Sequence, residues 1–141
     1  MSARPTIDET MLDTAELWAR RATCSRLSVG AVLAREGRVL ATAYNGAPAG
    51  LPHCSHDVDE PCAQSVHAEA NALLWAARHG VSALGAALYV THAPCLGCSG
   101  LIINAGIKRV VYRNEYRSHD GINRLLEAGI RIFRVPASVL T

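Results

Sequence analysis

The clearest chemical signal in the sequence is a His-Ala-Glu motif followed, after about one helix and one strand, by Pro-Cys-Leu-Gly-Cys. His67, Cys95 and Cys98 supply one imidazole and two thiols, which are ligand types that Zn²⁺ prefers. The two cysteines are three residues apart at the start of a predicted helix, so both sulfurs can point at one metal ion. Three protein ligands leave the fourth tetrahedral position open, which is typical of a catalytic zinc site.

Glu69 follows His67 by two residues, which is about 200° round an ideal helix. It is therefore expected beside the metal and not among the ligands. A carboxylate next to a zinc-activated water can accept its proton and later deliver that proton to a leaving amine. The ordered pair of motifs is the known signature of zinc-dependent nucleobase deaminases, so the sequence predicts hydrolytic deamination.

The elements around these motifs are predicted to alternate between helices and strands. Apolar residues recur every three or four positions over residues 7–22, which predicts an amphipathic helix capped by Thr6 or Asp8. This order predicts an α/β fold with parallel crossovers and helices on both faces of the sheet. The other predicted elements are hairpin strands over 29–34 and 39–44, a helix from an N-cap at Ser65 to His79, a strand over 87–91, a helix with Pro94 in its first turn that ends at Gly106, a strand over 110–112, a helix over 121–128 and a strand over 131–135.

Composition limits the class of protein. The chain has 141 residues, of which 50% are hydrophobic and 18% charged, with a net charge of +2, which fits one globular domain over residues 1–141. The near balance of charge argues against a nucleic-acid partner. The absence of a signal peptide and of a long apolar run predicts a cytoplasmic protein without a membrane segment. Five cysteines, an odd number, favour metal ligation over disulfides in that compartment.

Four blocks of sequence resemble the deoxycytidylate (dCMP) deaminase family, especially its compact bacterial and phage members. They are Thr23–Ala31, Tyr44–Gly50, His67–Ala72 and Tyr89–Cys95. The resemblance implies a cytidine-deaminase-like three-layer α/β/α sandwich with a five-stranded mixed sheet. It also implies a catalytic zinc ion and hydrolysis of dCMP to ammonia and dUMP, the precursor for thymidylate synthesis.

The functional residues of that family match positions in this chain. By this resemblance the three zinc ligands are those named above, and Glu69 is the proton shuttle. Asn45 matches an asparagine that faces the sugar hydroxyl in related deaminases, and Tyr116 matches a tyrosine near the substrate. Arg26 lies where a donor for the phosphate is expected, and Ala68 is taken as a further substrate contact.

The segment Tyr44–Gly50 is associated in the family with a triphosphate effector. The resemblance therefore implies dCTP as an activator and dTTP as an inhibitor, bound by Tyr44, Asn45, Gly46 and Gly50. It also implies a homo-oligomer, either a hexamer or a dimer.

A second, structural zinc site is implied by the three remaining cysteines. Cys24, Cys54 and Cys62 fall where some family members carry such a site. The preferred fourth ligand is His56, with His53, Asp57 and Asp59 as alternatives. The choice is open because this loop lacks the additional cysteine of some relatives.

Plainer interpretations remain open at several positions. The three extra cysteines can be buried small apolar residues, Asn45 a turn residue and Arg26 a solvated helix-end cation. Tyr116 can be a core aromatic. Arg113, Arg117 and His119 form a basic stretch that is either a solvated loop or an attractor of phosphate.

The function also has alternatives. The same zinc chemistry acts on free bases, nucleosides or tRNA adenosine in related folds, and the class furthest from an enzyme is a zinc-stabilised partner protein. A tRNA substrate favours a more basic surface than a net charge of +2, which argues against that alternative. A structural zinc normally has four protein ligands, which argues against the partner protein.

Overall fold

The computed structural model describes residues 3–55 and 62–137. The described part of the chain contains one five-stranded sheet with four helices. The elements, in chain order, are α1 (Ile7–Ala19), β1 (Gly30–Arg35), β2 (Arg38–Tyr44), α2 (Ala68–Arg78), β3 (Ala87–His92), α3 (Leu96–Asn104), β4 (Arg109–Asn114), α4 (Asp120–Glu127) and β5 (Arg131–Arg134).

The sheet has the strand order β2-β1-β3-β4-β5 and is mixed. β1 is antiparallel to both β2 and β3, whereas β3, β4 and β5 are parallel. Strand β2 therefore runs in the same direction as β3, and α2 crosses over β1 to connect them. This topology confirms the predicted element order, the parallel crossovers and the mixed sheet.

Alternating residues of the strands pack against different helices. Ala31 and Leu33 of β1 belong to the core formed with α2, α3 and α4. Val32 and Ala34 belong to the smaller core under α1. Because successive strand side chains point to opposite faces, the sheet is the middle layer of a three-layer α/β/α sandwich, as predicted.

Ion pairs hold α1 on its side of the sheet. The Arg109 guanidinium donates to both carboxylate oxygens of Asp8, at 2.7 and 2.6 Å, and this contact holds the pKa of Asp8 below its usual value. The buried Arg113 side chain donates to Asp13 at 3.1 Å. Arg113 therefore fixes α1 to β4, and it is not part of a solvated basic loop.

Several predicted element boundaries were wrong, including three at helix ends. Helix α1 ends at Ala19 rather than at residue 22. The N-cap of α2 is His67, not Ser65, whose buried hydroxyl has no hydrogen-bond partner among the described residues. Pro94 precedes α3, whose N-cap is Cys95. In the last two cases a metal-ligand residue type occupies the cap position, where sequence propensity favours a polar capping residue.

Among the described residues, the structure has no helix long and apolar enough to span a membrane.

Candidate active site and metal centre

Two helix starts bring the His-Ala-Glu and Pro-Cys-x-x-Cys motifs together. His67 is the N-cap of α2 and Cys95 is the N-cap of α3, yet neither side chain makes a capping hydrogen bond. The Asn71 side-chain amide donates to the backbone carbonyl of Tyr44 at 2.9 Å, which ties α2 to the end of β2. Both helices consequently direct the positive ends of their dipoles at one point.

The three predicted ligands converge there. His67 Nδ1 lies 3.4 Å from Cys95 Sγ and 3.3 Å from Cys98 Sγ. All three ligand atoms lie within 4.8 Å of one another. With ordinary Zn–S and Zn–N bond lengths, neighbouring ligands of a tetrahedral zinc lie roughly 3.5 Å apart. One imidazole and two thiols at these separations fit a zinc ion, with no fourth protein ligand among the described residues.

The titration of these side chains reflects their closeness. Hydrogen bonds from Cys98 and His67 lower the pKa of Cys95 to about 3. The adjacent Cys95 sulfur raises the pKa of Cys98, so the two sulfurs share one proton. Contact with Cys95 also raises the pKa of His67. A divalent cation at this point displaces the shared proton, because a coordinated thiol is deprotonated.

Glu69 lies in the first turn of α2 and is only 5% exposed. Burial raises the pKa of its carboxyl to about 7. The side chain lines the same cleft as His67 and Cys95 but does not belong to the ligand cluster. This is the position beside the metal that the helical spacing predicts.

An open cleft with a cavity volume of about 100 Å³ lies in front of these residues. Cys98 lies behind the cleft surface and is buried. Among the predicted site residues, those that line the cleft are Arg26, Asn45, His67, Ala68, Glu69, Cys95 and Tyr116, together with Cys24 and Cys62.

Asn45 lines the cleft and also shapes it. Its Oδ1 accepts a hydrogen bond from the Val29 N–H at 2.8 Å, and its Nδ2 donates to the Leu27 carbonyl at 2.7 Å. These bonds leave one amide hydrogen and one oxygen lone pair for other partners. Asn45 is therefore no hairpin-turn residue. It fixes the 27–29 segment as one wall of the cleft.

Five lining residues were given no site role from the sequence. They are Leu27, Val29, Ser65, His92 and Ala93, of which His92 is the last residue of β3. Sequence analysis also left Arg117 undecided, and Arg117 lines the cleft beside Tyr116. The Arg117 guanidinium lies over the Tyr116 ring at 5.9 Å. The available signal for His92 was its place directly before the Ala93-Pro94-Cys95 turn, since residues at the carboxyl ends of strands often line sites in α/β folds.

The second cysteine group also assembles. Ligand atoms of Cys24, Cys54 and Cys62 lie within 4.8 Å of one another. Burial raises the pKa of Cys54, and the Ser65 N–H lies 3.3 Å from Cys62 Sγ. His56, Asp57 and Asp59, three of the four candidates for a fourth ligand, lie outside the described residues. The three thiols suit a soft metal ion such as zinc.

The predicted effector residues lie in different surroundings. The Tyr44 ring stacks on Trp18, with centroids 6.4 Å apart, and Arg21 lies over it at 5.9 Å. Gly46 pairs with Val66 through two backbone hydrogen bonds of 2.7 and 3.2 Å. Gly50 has a φ of 84°, which favours glycine. Tyr44 thus contacts α1 and the segment after it, whereas Asn45 contacts the cleft wall.

Gly121 supports the metal centre from α4. A Cβ added there meets the backbone of Pro94 and Cys95 at under 3 Å. We expect Gly121→Ala to lower the free energy of unfolding by about 1–3 kcal/mol through overpacking, and to weaken zinc retention by shifting Cys95. Gly100→Ala is the matched control, since its added Cβ meets the Arg124 guanidinium at an ordinary contact distance of 3.7 Å. Thermal unfolding and chelator competition measure both effects, and equal behaviour of the two variants contradicts the prediction.

Comparisons with known proteins agree with this geometry. Residues 5–114 match the family model of the cytidine and deoxycytidylate deaminase zinc-binding region. The chain is 44% identical over 128 residues to a deoxycytidylate deaminase of Mycobacterium phage D29, covering 80% of this chain and 98% of the phage protein. It is 45% identical over 124 residues to the ComE operon protein 2 of Bacillus subtilis, covering 84% of this chain but only 66% of that protein.

A solved structure shares the fold over nearly the whole chain. It is the dCMP deaminase of cyanophage S-TIM5 in complex with dCMP and dUMP, which matches with a TM-score of 0.88 and 38% identity. The match covers 95% of this chain and 100% of that one. With the assembled ligand cluster and the buried glutamate, these similarities show that the chain belongs to the cytidine and deoxycytidylate deaminase family.

Proposed function

We propose that this chain is a single catalytic domain that hydrolyses dCMP to dUMP and ammonia with one zinc ion at His67, Cys95 and Cys98. The observation that carries the proposal is the arrangement of the buried Glu69 beside a three-ligand cluster, at the inner end of an open cleft. The similarity to the phage D29 and S-TIM5 enzymes supports dCMP as the substrate.

The residues divide the work along the cleft. Zinc, when bound, supplies Lewis acidity that activates the attacking water. Burial raises the pKa of Glu69 to about 7. A carboxyl with that pKa can both accept a proton from water and donate it to the leaving amine. Ala68, which lines the cleft between His67 and Glu69 in the sequence, would contact the pyrimidine ring, and Asn45 would offer its remaining amide hydrogen to the sugar.

The outer end of the cleft suits a phosphate. Arg26 and Arg117 line it together with Tyr116. Glu115 also lines the outer end of the cleft. Its carboxylate already accepts from the Tyr112 hydroxyl at 3.2 Å and pairs with Arg134 Nε at 3.4 Å. Two guanidinium groups and one compensated carboxylate favour an anionic group there, which supports a nucleotide over a nucleoside.

Substrate comparison tests the proposed function. We expect kcat/KM for dCMP to exceed that for deoxycytidine by at least about tenfold, because loss of a charged contact in a partly dry pocket costs roughly 1.4 kcal/mol or more. Ammonia release from dCMP, CMP, deoxycytidine and guanine measures it. Equal values for dCMP and deoxycytidine overturn the nucleotide assignment. A preference for guanine indicates instead a zinc-dependent deaminase of a free base.

A second zinc ion is proposed at Cys24, Cys54 and Cys62, with His56 as fourth ligand. The support is the convergence of three thiols from separate segments of the chain. Because Cys24 and Cys62 also line the cleft, a metal ion there holds part of the substrate site in place. Its role is structural, since metal binding to such a cluster contributes directly to folding free energy.

Regulation by dCTP and dTTP is proposed at the segment Tyr44–Gly50, in a hexamer or dimer of this chain. The exposed Leu74 and Trp75 of α2 are apolar surface of the kind that subunit contacts cover. The backbone continuity between Tyr44 and Asn45 supports coupling, because a ligand that moves Tyr44 also moves the cleft wall.

We expect dCTP to lower and dTTP to raise the dCMP concentration needed for half-maximal velocity, by stabilising two states of this segment. Velocity curves at several effector concentrations measure the shift. Tyr44→Ala should lose the response while keeping basal turnover. Phe133→Ala, at an exposed aromatic on the opposite edge strand β5, serves as the control. Hyperbolic wild-type curves unchanged by either triphosphate contradict the proposed regulation.

A further inference from the structure

His92 ends β3 and is joined to the sheet by a short chain of hydrogen bonds. The Gly30 N–H donates to Thr91 Oγ1 at 3.2 Å, and Thr91 Oγ1 lies 2.9 Å from His92 Nδ1. Thr91 is fully buried. Neither the catalytic proton transfer nor the proposed metal sites use these hydrogen bonds.

The chain determines which ring nitrogen of His92 carries the proton. One lone pair of the Thr91 hydroxyl is taken by Gly30, and a buried hydroxyl must donate its own proton to an acceptor. Within residues 3–55 and 62–137, His92 Nδ1 is the acceptor in reach. The neutral imidazole therefore carries its hydrogen on Nε2. Burial also lowers the pKa of His92, which favours the neutral ring.

His92 lies where the inner and outer parts of the cleft meet. It lines the inner part with His67 and Glu69, and it is one of five residues that line both the inner and the outer part, the others being Arg26, Leu27, Tyr116 and Arg117. The inner end is occupied by the metal ligands and Glu69, which act on the pyrimidine ring. A fixed N–H donor at the junction makes its strongest hydrogen bond to an anionic oxygen, since hydrogen bonds to charged acceptors are about twice as strong as those between neutral groups.

We propose that His92 is a specificity-determining residue whose Nε2–H donates a hydrogen bond to the 5′-phosphate of the nucleotide, and that Thr91 is a positioning residue that fixes the required tautomer. The inference rests on the proposed function and deepens it, because it assigns phosphate selection to a neutral donor in addition to the two arginines.

Substitutions at both positions test the proposal. His92→Phe removes the donor and keeps the ring volume, so we expect KM for dCMP to rise about tenfold, kcat to stay within about threefold, and both constants for deoxycytidine to stay within about twofold. His92→Gln keeps an N–H donor at similar reach and should recover most of the dCMP affinity. Calorimetric titration with dUMP and deoxyuridine gives a readout that does not depend on turnover, and only dUMP binding should weaken in His92→Phe.

Thr91 is tested through the tautomer. Nitrogen NMR of the wild-type zinc-loaded protein should show His92 protonated at Nε2 and not at Nδ1. Thr91→Ser, which keeps the hydroxyl, should preserve both the tautomer and the dCMP KM. Thr91→Val alone should raise that KM, but it should not raise it further in the His92→Phe background. The deoxycytidine kinetics of Thr91→Val should not change, whereas a general loss of folding would change them.

The outcomes separate this inference from the proposed function. If wild type does not deaminate dCMP, the proposed function fails. If wild type deaminates dCMP but His92→Phe changes dCMP and deoxycytidine equally, or leaves dUMP binding unaltered, the assignment of His92 to the phosphate is overturned. An Nδ1-protonated His92 overturns the role of Thr91.

Discussion

Glu69→Gln is expected to retain zinc and to lose nearly all deaminase activity. The amide keeps the shape of the side chain but cannot accept a proton from water or deliver one to the departing amine. Loss of one acid–base group costs roughly 10²–10⁴ in rate, and in the proposed reaction one residue serves both transfers. Turnover of dCMP and metal content by elemental analysis, measured on the same preparation, provide the test.

The matched control for this prediction is Glu115→Gln. Glu115 is partly exposed, lines only the outer end of the cleft and is bound to Tyr112 and Arg134, so kcat should change little in this variant. A Glu69→Gln protein that keeps more than about a tenth of wild-type kcat excludes the proton shuttle. Loss of zinc from Glu69→Gln indicates instead that the carboxylate supports the ligands.

The second large effect concerns the two metal clusters, which are expected to hold one zinc ion each. Cys98→Ala should lose one zinc ion and reduce turnover at least as much as Glu69→Gln does, because two ligands bind zinc far more weakly than three. The fold should persist, since Cys98 is one small member of a core that is formed mainly by apolar residues such as Ile102 and Leu125. Metal analysis, activity and thermal unfolding together measure this prediction.

Cys54→Ser gives the contrasting result. We expect it to lose the other zinc ion and to lower the melting temperature, while activity below the unfolding transition stays closer to wild type than in Cys98→Ala. A wild-type stoichiometry of one zinc ion per chain, with Cys24, Cys54 and Cys62 freely titratable in the native protein, rules out the second site.

Several predictions from sequence were accurate because they rest on local spacing. The Cys-x-x-Cys interval places Cys95 and Cys98 within one turn at the start of α3. His67 joins these two in one cluster of possible ligands, to which Glu69 does not belong. The alternation of apolar runs with helical patterns likewise identified every described element of the sandwich, with errors confined to its boundaries.

The boundary errors at the starts of α2 and α3 have a common physical origin. Ser65 is a good helix cap by propensity, but the N-cap of α2 is His67, where the imidazole turns to the thiols instead of the backbone. Local preference yields there to contacts with residues some 30 positions away, such as Cys98. Sequence propensity does not contain such contacts.

What the sequence determined by itself is the chemistry of the inner site, because its ligand types, their intervals and the family resemblance lie within contiguous motifs. Only the tertiary structure decided the rest of the cleft. It buries Arg113 against α1 while Arg117 lines the cleft, although both belong to one basic stretch. It also uses Asn45 to hold the 27–29 wall and turns His92 toward the cleft through Thr91. These roles depend on which face of a strand each residue occupies and on which distant segment packs against it, and neither is encoded in local spacing.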